Sequence, residues 1–343
     1  MRILVLYTRL TGYWLSCMRY DYQNNGNEYL VIRKKASKEA PFNIHSEEGI
    51  EITDGDNLTV KELKSLAFNF NPDLLYVSGW ADKRYLKIAL AFKKQNIPVI
   101  TGMDNQWLGS VRQYVATLFS SYLVLRYFTH IWVPGKPQYF FARKLGFLPK
   151  NILTGLYCAD ENIFKNITQT TFKKQLVFVG RLVEHKGLKI LFSALSDLIA
   201  EDTLDIQIKF VGSGPLENEI PKHKNIVHIP FVNPDELPKL LENSGYFILP
   251  SLYEAWGVVV HEAVLAGMPV ITTYECGAAS DLVIPGFNGF LYKATNKEKL
   301  KSIIEQIMTI EKEQYFEMSA NSKSIASKIN VKEWGATFNS VIN

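Results

Sequence analysis

Two carboxylates, Glu254 and Glu262, stand with seven residues between them in FILPSLYEAWGVVVHEAVLAGMPVITT, residues 247–273. An apolar strand at 247–249 runs into the loop that carries Glu254, and Gly257 then opens a helix that carries Glu262. Gly267 and Pro269 supply the usual stop signal for that helix. A helix start presents unpaired backbone N–H groups and the positive end of a dipole, here at Trp256, Gly257, Val258 and Val259, which suits a phosphate. An ionised carboxylate only accepts hydrogen bonds, so the glutamates do not serve the phosphate themselves. They suit hydroxyl groups beside it, and a vicinal diol can donate two hydrogen bonds to one carboxylate.

A second constellation lies upstream. Gly180-Arg181 follows an apolar strand and Lys186-Gly187 opens the next helix. The two cations flank a strand-to-helix loop at the carboxyl edge of a sheet, where α/β proteins dock ligands. Together they can neutralise a diphosphate and stabilise it as a leaving group without a divalent metal. Either one alone reads as a solvated basic loop; next to the glutamate stretch the functional reading is favoured. Gly212-Ser213-Gly214 starts like a dinucleotide fingerprint, but Glu217 takes the place of its third glycine and that reading fails. Asp54-Gly55-Asp56 reads as a turn ahead of a helix, since a hard cation wants more oxygen ligands than this pair supplies. No metal site is expected.

Strand and helix alternate throughout, the pattern of parallel sheets with crossover helices. Strands are expected at 3–7, 29–33, 74–77, 99–101, 131–133 and 152–154, then at 176–179, 207–211, 226–229, 246–249 and 270–273. Helices are expected at 60–70, 85–95, 111–128 and 138–145. The polar stretch 162–174 reads as a linker, which divides the 343 residues into domains 1–165 and 166–343. Helix 111–128 is apolar nearly all round, with Arg112 and Arg126 near its ends. Burial is the favoured reading for it, ahead of contact with a membrane interface. No run of eighteen apolar residues is present, and MRILVLYTRL reads as a first strand, not a leader. Cys17, Cys158 and Cys276 are widely spaced, which fits a reducing cytoplasm. Residues 1–165 hold 21 Lys and Arg against 14 Asp and Glu, and the remainder 17 against 20. The basic half, with its cluster Arg33-Lys34-Lys35, suits an anionic membrane surface or acidic acceptor as well as it suits a merely soluble basic surface. Nucleic acid is not expected as a partner, because the cations are dispersed.

FVGRLVEHKG (178–187), KFVGSGPLENEI (209–220), the two-glutamate stretch and the glycines Gly286 and Gly289 of GFNGFLY occur in a telling order and spacing. Over roughly 174–292 the chain resembles the family-4 retaining glycosyltransferases, group 1, of the GT-B fold. The resemblance implies an α/β protein of two Rossmann-like domains with parallel sheets and an interdomain cleft, the last helix crossing back to the first domain with Trp334 and Phe338. It implies a nucleotide-diphosphate sugar of UDP or GDP type as donor, and no cofactor. Arg181 and Lys186 would hold the diphosphate, Glu254 the donor sugar and Glu262 the ribose. Gly12, Gly180, Phe231, Val232 and the backbone of 256–259 would complete the donor site. The family often carries a histidine that contacts the donor sugar where Met103 stands, so Asp104, Asn105 or Gln106 is the expected substitute, with Asp104 counted among the donor-binding residues. The implied reaction moves a sugar, with retention, to a saccharide or lipid-linked acceptor in cell-surface polysaccharide or glycolipid synthesis. It would take place in the cytoplasm, with possible membrane contact at the inner face. The rival readings are a GT-B sugar-nucleotide epimerase and a non-catalytic GT-B subunit.

Overall fold

The computed structural model describes residues 1–34, 44–233, 236–242 and 244–342. Seven strands form one sheet: β1 (Arg2–Tyr7), β2 (Glu28–Arg33), β3 (Ile50–Asp54), β4 (Leu74–Val77), β5 (Val99–Gly102), β6 (His130–Trp132) and β7 (Ile152–Leu153). Six form another: β8 (Gln175–Val179), β9 (Gln207–Val211), β10 (Ile226–Ile229), β11 (Tyr246–Leu249), β12 (Val270–Thr273) and β13 (Gly289–Tyr292). Their orders are β3-β2-β1-β4-β5-β6-β7 and β10-β9-β8-β11-β12-β13. The central strands are apolar on both faces, as parallel strands covered by helices on each side must be; β1 buries its last five residues and β11 all four. Strand order reverses between β1 and β4 in one sheet, and between β8 and β11 in the other. Ligands of open parallel sheets bind at such switch points, outside the carboxyl ends of the strands.

The chain forms two compact units, Met1–Asp160 with Ile329–Asn343, and Glu161–Lys328. The helix Glu161–Phe164 already belongs to the second unit, although 162–174 reads in the sequence as a linker. The helix Val331–Ile342 belongs to the first unit, where it packs on the helix Gly12–Asn25. Its Trp334 meets Trp14 edge-on at 4.9 Å and Trp132 at 5.2 Å, and its indole N–H donates to the Leu156 carbonyl at 3.2 Å. Truncating so buried a tryptophan typically costs about 3–5 kcal/mol.

Two strands escape the sequence reading. β3 is an edge strand whose Ile-Glu-Ile-Thr-Asp buries only its first residue, and β13 begins at the tight Gly289. Asp54 ends β3 in an ion pair with Arg33 at 3.1 Å. Arg84 holds the loop after it, donating to the carbonyls of Gly55, Asp56 and Leu58 at 2.9, 3.1 and 3.0 Å. Thr59 and Glu62 form a capping box for the helix Val60–Phe70. The basic cluster is partly neutralised too, since Lys34 pairs with Asp82 at 3.3 Å; Lys35 lies outside the described residues.

The burial expected for 111–128 does not hold. The segment divides into an α-helix, Val111–Leu118, that buries none of its residues, and a π-helical turn, Ser121–Leu125, that buries only Val124. Among the described residues no helix is long and apolar enough to cross a membrane.

Candidate functional site

In the second unit the two motif loops leave β8 and β11, the strands that flank the switch point. Gly187 has φ +70°, and a Cβ there would fall 1.9 Å from the Pro250 carbonyl oxygen. Only glycine permits this approach, and the Leu252 amide then donates to the His185 carbonyl at 2.9 Å. The loops so joined bring the Lys186 ammonium onto the Glu254 carboxylate, with side chains only 15% and 18% exposed. Ser251 Oγ approaches the same carboxylate oxygen at 3.4 Å. Arg181 is exposed on the same loop. Burial and the charge of Lys186 push His185 below its ordinary pKa; Glu254 opposes and Arg181 adds to the effect, so all four side chains share one electrostatic neighbourhood.

Gly257, at φ +96°, turns the chain from the Glu254 loop into the helix Val258–Leu265. The first amides of that helix, at Val258 and Val259, have no intrahelical acceptor by geometry. The Trp256 side chain is buried, so its contribution to the site is backbone alone. Cys276 lies behind the loop, its thiol donating to the Trp256 carbonyl at 3.2 Å. Burial and the nearby Glu254 push that thiol up to about 12, so it is no nucleophile at neutral pH. Glu262 is half-buried on the same helix, between the buried His261 and Ala263. Gly180 donates its amide to the Val211 carbonyl at 3.0 Å, and Gly214 donates to Glu217 Oε1 at 2.6 Å. Glu217 therefore satisfies the loop amide that a fingerprint glycine would have left open. Phe231 follows β10, 64% exposed, with Val232 half-buried beside it.

The first unit has its own pocket at the carboxyl ends of β1, β4 and β5, a cavity of about 330 Å³. Arg9, Thr11, Tyr13, Tyr76, Asp104 and Tyr157 line it. Tyr157 donates to Asp104 Oδ2 at 3.1 Å, and Gln138 donates to the Asp104 carbonyl at 3.1 Å. Burial, then Tyr13 and Asp104, hold the Tyr157 hydroxyl well above its usual pKa, so it stays a donor. Thr11 precedes the helix Gly12–Asn25 without capping it, and its hydroxyl is buried with no hydrogen-bond partner. Gly12 has open space where a side chain would stand. Met103 is 4% exposed and packs in the hydrophobic core, while Asp104 beside it faces the pocket.

Residues 159–325 match the family described as glycosyl transferases group 1. That part of the chain belongs to this family. A glycosyltransferase of Methanocaldococcus jannaschii is 30% identical over 161 residues, 45% of this chain and 43% of its own. Spore coat protein SA of Bacillus subtilis is 35% identical over 133 residues, 35% of each chain. The chain thus spans about two-fifths of the length of these curated relatives. The crystal structure of Anabaena HepE in complex with UDP-glucose covers 100% of this chain and 98% of its own, with TM-score 0.74 at 18% identity. That likeness is one of fold, the GT-B class of two Rossmann-like halves.

Within 159–325, Gly180, Arg181, Lys186, Glu254, Glu262 and 256–259 gather on two adjoining loops and one helix, while Phe231 and Val232 stand apart after the edge strand β10. Gly12 and Asp104 belong to the other unit. The sequence reading missed the tyrosines of the first pocket. The available signal was positional, because Tyr7, Ser78 and Asp104 each stand at or just beyond the carboxyl end of a central strand.

Proposed function

We infer that the protein is a glycosyltransferase that takes a sugar from a UDP-sugar and passes it, with retention at the anomeric carbon, to a hydroxyl of a saccharide or lipid-linked acceptor. The product would be a cell-surface polysaccharide or glycolipid. The observation that carries this is the contact of Lys186 with Glu254 across the switch point. In a nucleoside-diphosphate sugar the sugar hangs from the second phosphate. A cation placed for that phosphate, with a carboxylate touching the cation, sets the carboxylate within reach of the sugar hydroxyls. UDP-glucose, with which HepE forms a complex, has this form.

Arg181 and Lys186 hold the diphosphate and stabilise it as it leaves, without help from a metal ion. Val258 and Val259 offer it their amides, Glu262 accepts from the ribose, and Phe231 with Val232 flanks the base. In the transfer the bond from the anomeric carbon to the phosphate oxygen breaks as the acceptor oxygen bonds on the same face. The acceptor proton passes to the departing phosphate oxygen. The pocket around Asp104 and Tyr157 in the first unit is assigned to the acceptor, which moves Asp104 from the donor role that the resemblance implied. With Met103 in the core, its difference from histidine removes nothing from that pocket.

The test is titration of UDP and UDP-glucose into wild type, Arg181→Ala and Lys186→Ala, with transfer assayed after chelation. The expected result is tight binding in wild type, weakened in both variants, and transfer that survives the chelator. Equal affinity in all three proteins overturns the reading. Conversion of UDP-glucose to another UDP-sugar without any acceptor would replace it with the epimerase.

A further inference from the structure

The segment 108–126 turns its apolar side outward. Val111 is 80% exposed, Leu118 75% and Tyr122 71%, and Leu108, Tyr114 and Phe119 are each more than half exposed. This is no frayed tail. Ser110 and Gln113 form a capping box, Gln113 donates to the Gln106 carbonyl at 2.6 Å, and Trp107 packs edge-on against Tyr114 at 4.9 Å. Contiguous apolar patches of this kind on an ordered surface mark a binding face. Its charge says what kind. From 105 to 159 the chain has six cations, Arg112, Arg126, Lys136, Arg143, Lys144 and Lys150, and not one Asp or Glu. All six are exposed. Arg126 lies over the Tyr122 ring at 5.8 Å and Lys144 over the Trp107 ring at 4.9 Å, so cations border the apolar patch directly.

We propose that this face docks on an anionic lipid bilayer, with Val111, Leu118, Phe119 and Tyr122 entering the acyl boundary and the flanking arginines and lysines meeting the headgroups. A short helix with apolar residues outward and cations beside them lies in the interface plane. A second copy of the chain is the poorer occupant: a two-fold contact would oppose these cations to one another, and 105–159 supplies no carboxylate to pair them.

Vesicles of phosphatidylcholine alone, and of phosphatidylcholine with phosphatidylglycerol, are sedimented with the full chain at low and high salt. The expected result is co-sedimentation with the anionic vesicles only, falling steeply as salt screens charges over a Debye length of roughly 10 Å at about 0.1 M. Arg112→Glu and Arg126→Glu should each weaken it, since one Lys or Arg near such a surface is worth about fivefold in binding. Leu118→Asp should abolish it with the unfolding midpoint unchanged. Lys186→Ala, which damages donor binding, should leave it intact, so the failure of one reading is distinguishable from the failure of the other. Protein left in the supernatant throughout, equal binding to both vesicles, or binding that survives all three surface variants overturns the proposal. So does concentration-dependent dimerisation abolished by Leu118→Asp without vesicle binding.

Discussion

The two sheet edges are built by different means, and under the proposed function they serve different ligands. At the edge of the second unit, glycines bring backbone to within touching distance, helix amides face outward, and charge is concentrated in Arg181, Lys186 and Glu254. At the edge of the first, the surface is built of ring and hydroxyl: Tyr13, Tyr76 and Tyr157 about one carboxylate, Asp104. A diphosphate is the same in every donor, and a fixed array of charge and amide serves it. An acceptor hydroxyl varies with its carrier, and shape with a few polar contacts serves that better. The first design leaves little freedom of residue type; the second leaves much.

Substitution at Gly187 should break the comparison most severely. Gly187→Ala sets a methyl group against the Pro250 carbonyl in a left-handed conformation, and a loss of about 2–4 kcal/mol is expected, read as a fall in the unfolding midpoint. Gly12→Ala, with open space and a helical position, should shift stability by less than about 0.5 kcal/mol. A comparable loss at both glycines would erase the distinction between a locked edge and a permissive one.

The ion pair sharpens it. Lys186→Ala should weaken UDP binding by about 2–3 kcal/mol, roughly 30- to 150-fold, the scale of one charged hydrogen-bond partner. Glu254→Gln should act in the opposite direction on UDP, because it frees the Lys186 ammonium, and should still impair transfer. Calorimetric titration of both variants decides this; a parallel loss of UDP affinity would remove Glu254 from the sugar side.

On the first unit, Asp104→Asn and Tyr157→Phe should each raise KM for the acceptor by about fivefold, near 1 kcal/mol, and leave UDP affinity unchanged. Steady-state kinetics against both substrates separates the two. The smallest effect concerns His185. Its folded pKa lies below the 6.5 of an ordinary histidine, so the unfolded chain binds the proton more readily. Its contribution to stability is present above 6.5 and is lost as pH falls below it. His185→Asn should flatten that part of a profile of unfolding midpoint against pH.

What was legible in the chain follows the same division. The loops of 180–187 and 254–262 stood out because glycine, cation and helix start recur there at a spacing that suits a phosphate, and the structure brings Lys186 of one onto Glu254 of the other. The central strands could be read because burial on both faces leaves unbroken apolar runs. β3 could not, since an edge strand with one buried residue has no such run. The tyrosine pocket could not, since Tyr76 and Tyr157 lie 81 residues apart in the sequence and only the sheet brings them together. The segment 111–128 misled for a physical reason. Apolarity all round a helix means exclusion from water, and the sequence does not say whether protein or something else excludes it.

The C-terminal helix sets an order of events. Trp14 and Trp132 of the first unit are completed by Trp334, which arrives only after all of 161–328 has been made. A ribosome therefore releases the whole second unit before the first has its last core residue, so the part synthesised earliest is finished latest. While it waits, its aromatic face is open to chaperones and proteases. A chain ended at residue 328 should keep a protease-resistant fragment 161–328 and lose the rest to limited proteolysis, whereas survival of both halves would show that the first unit closes without its final helix.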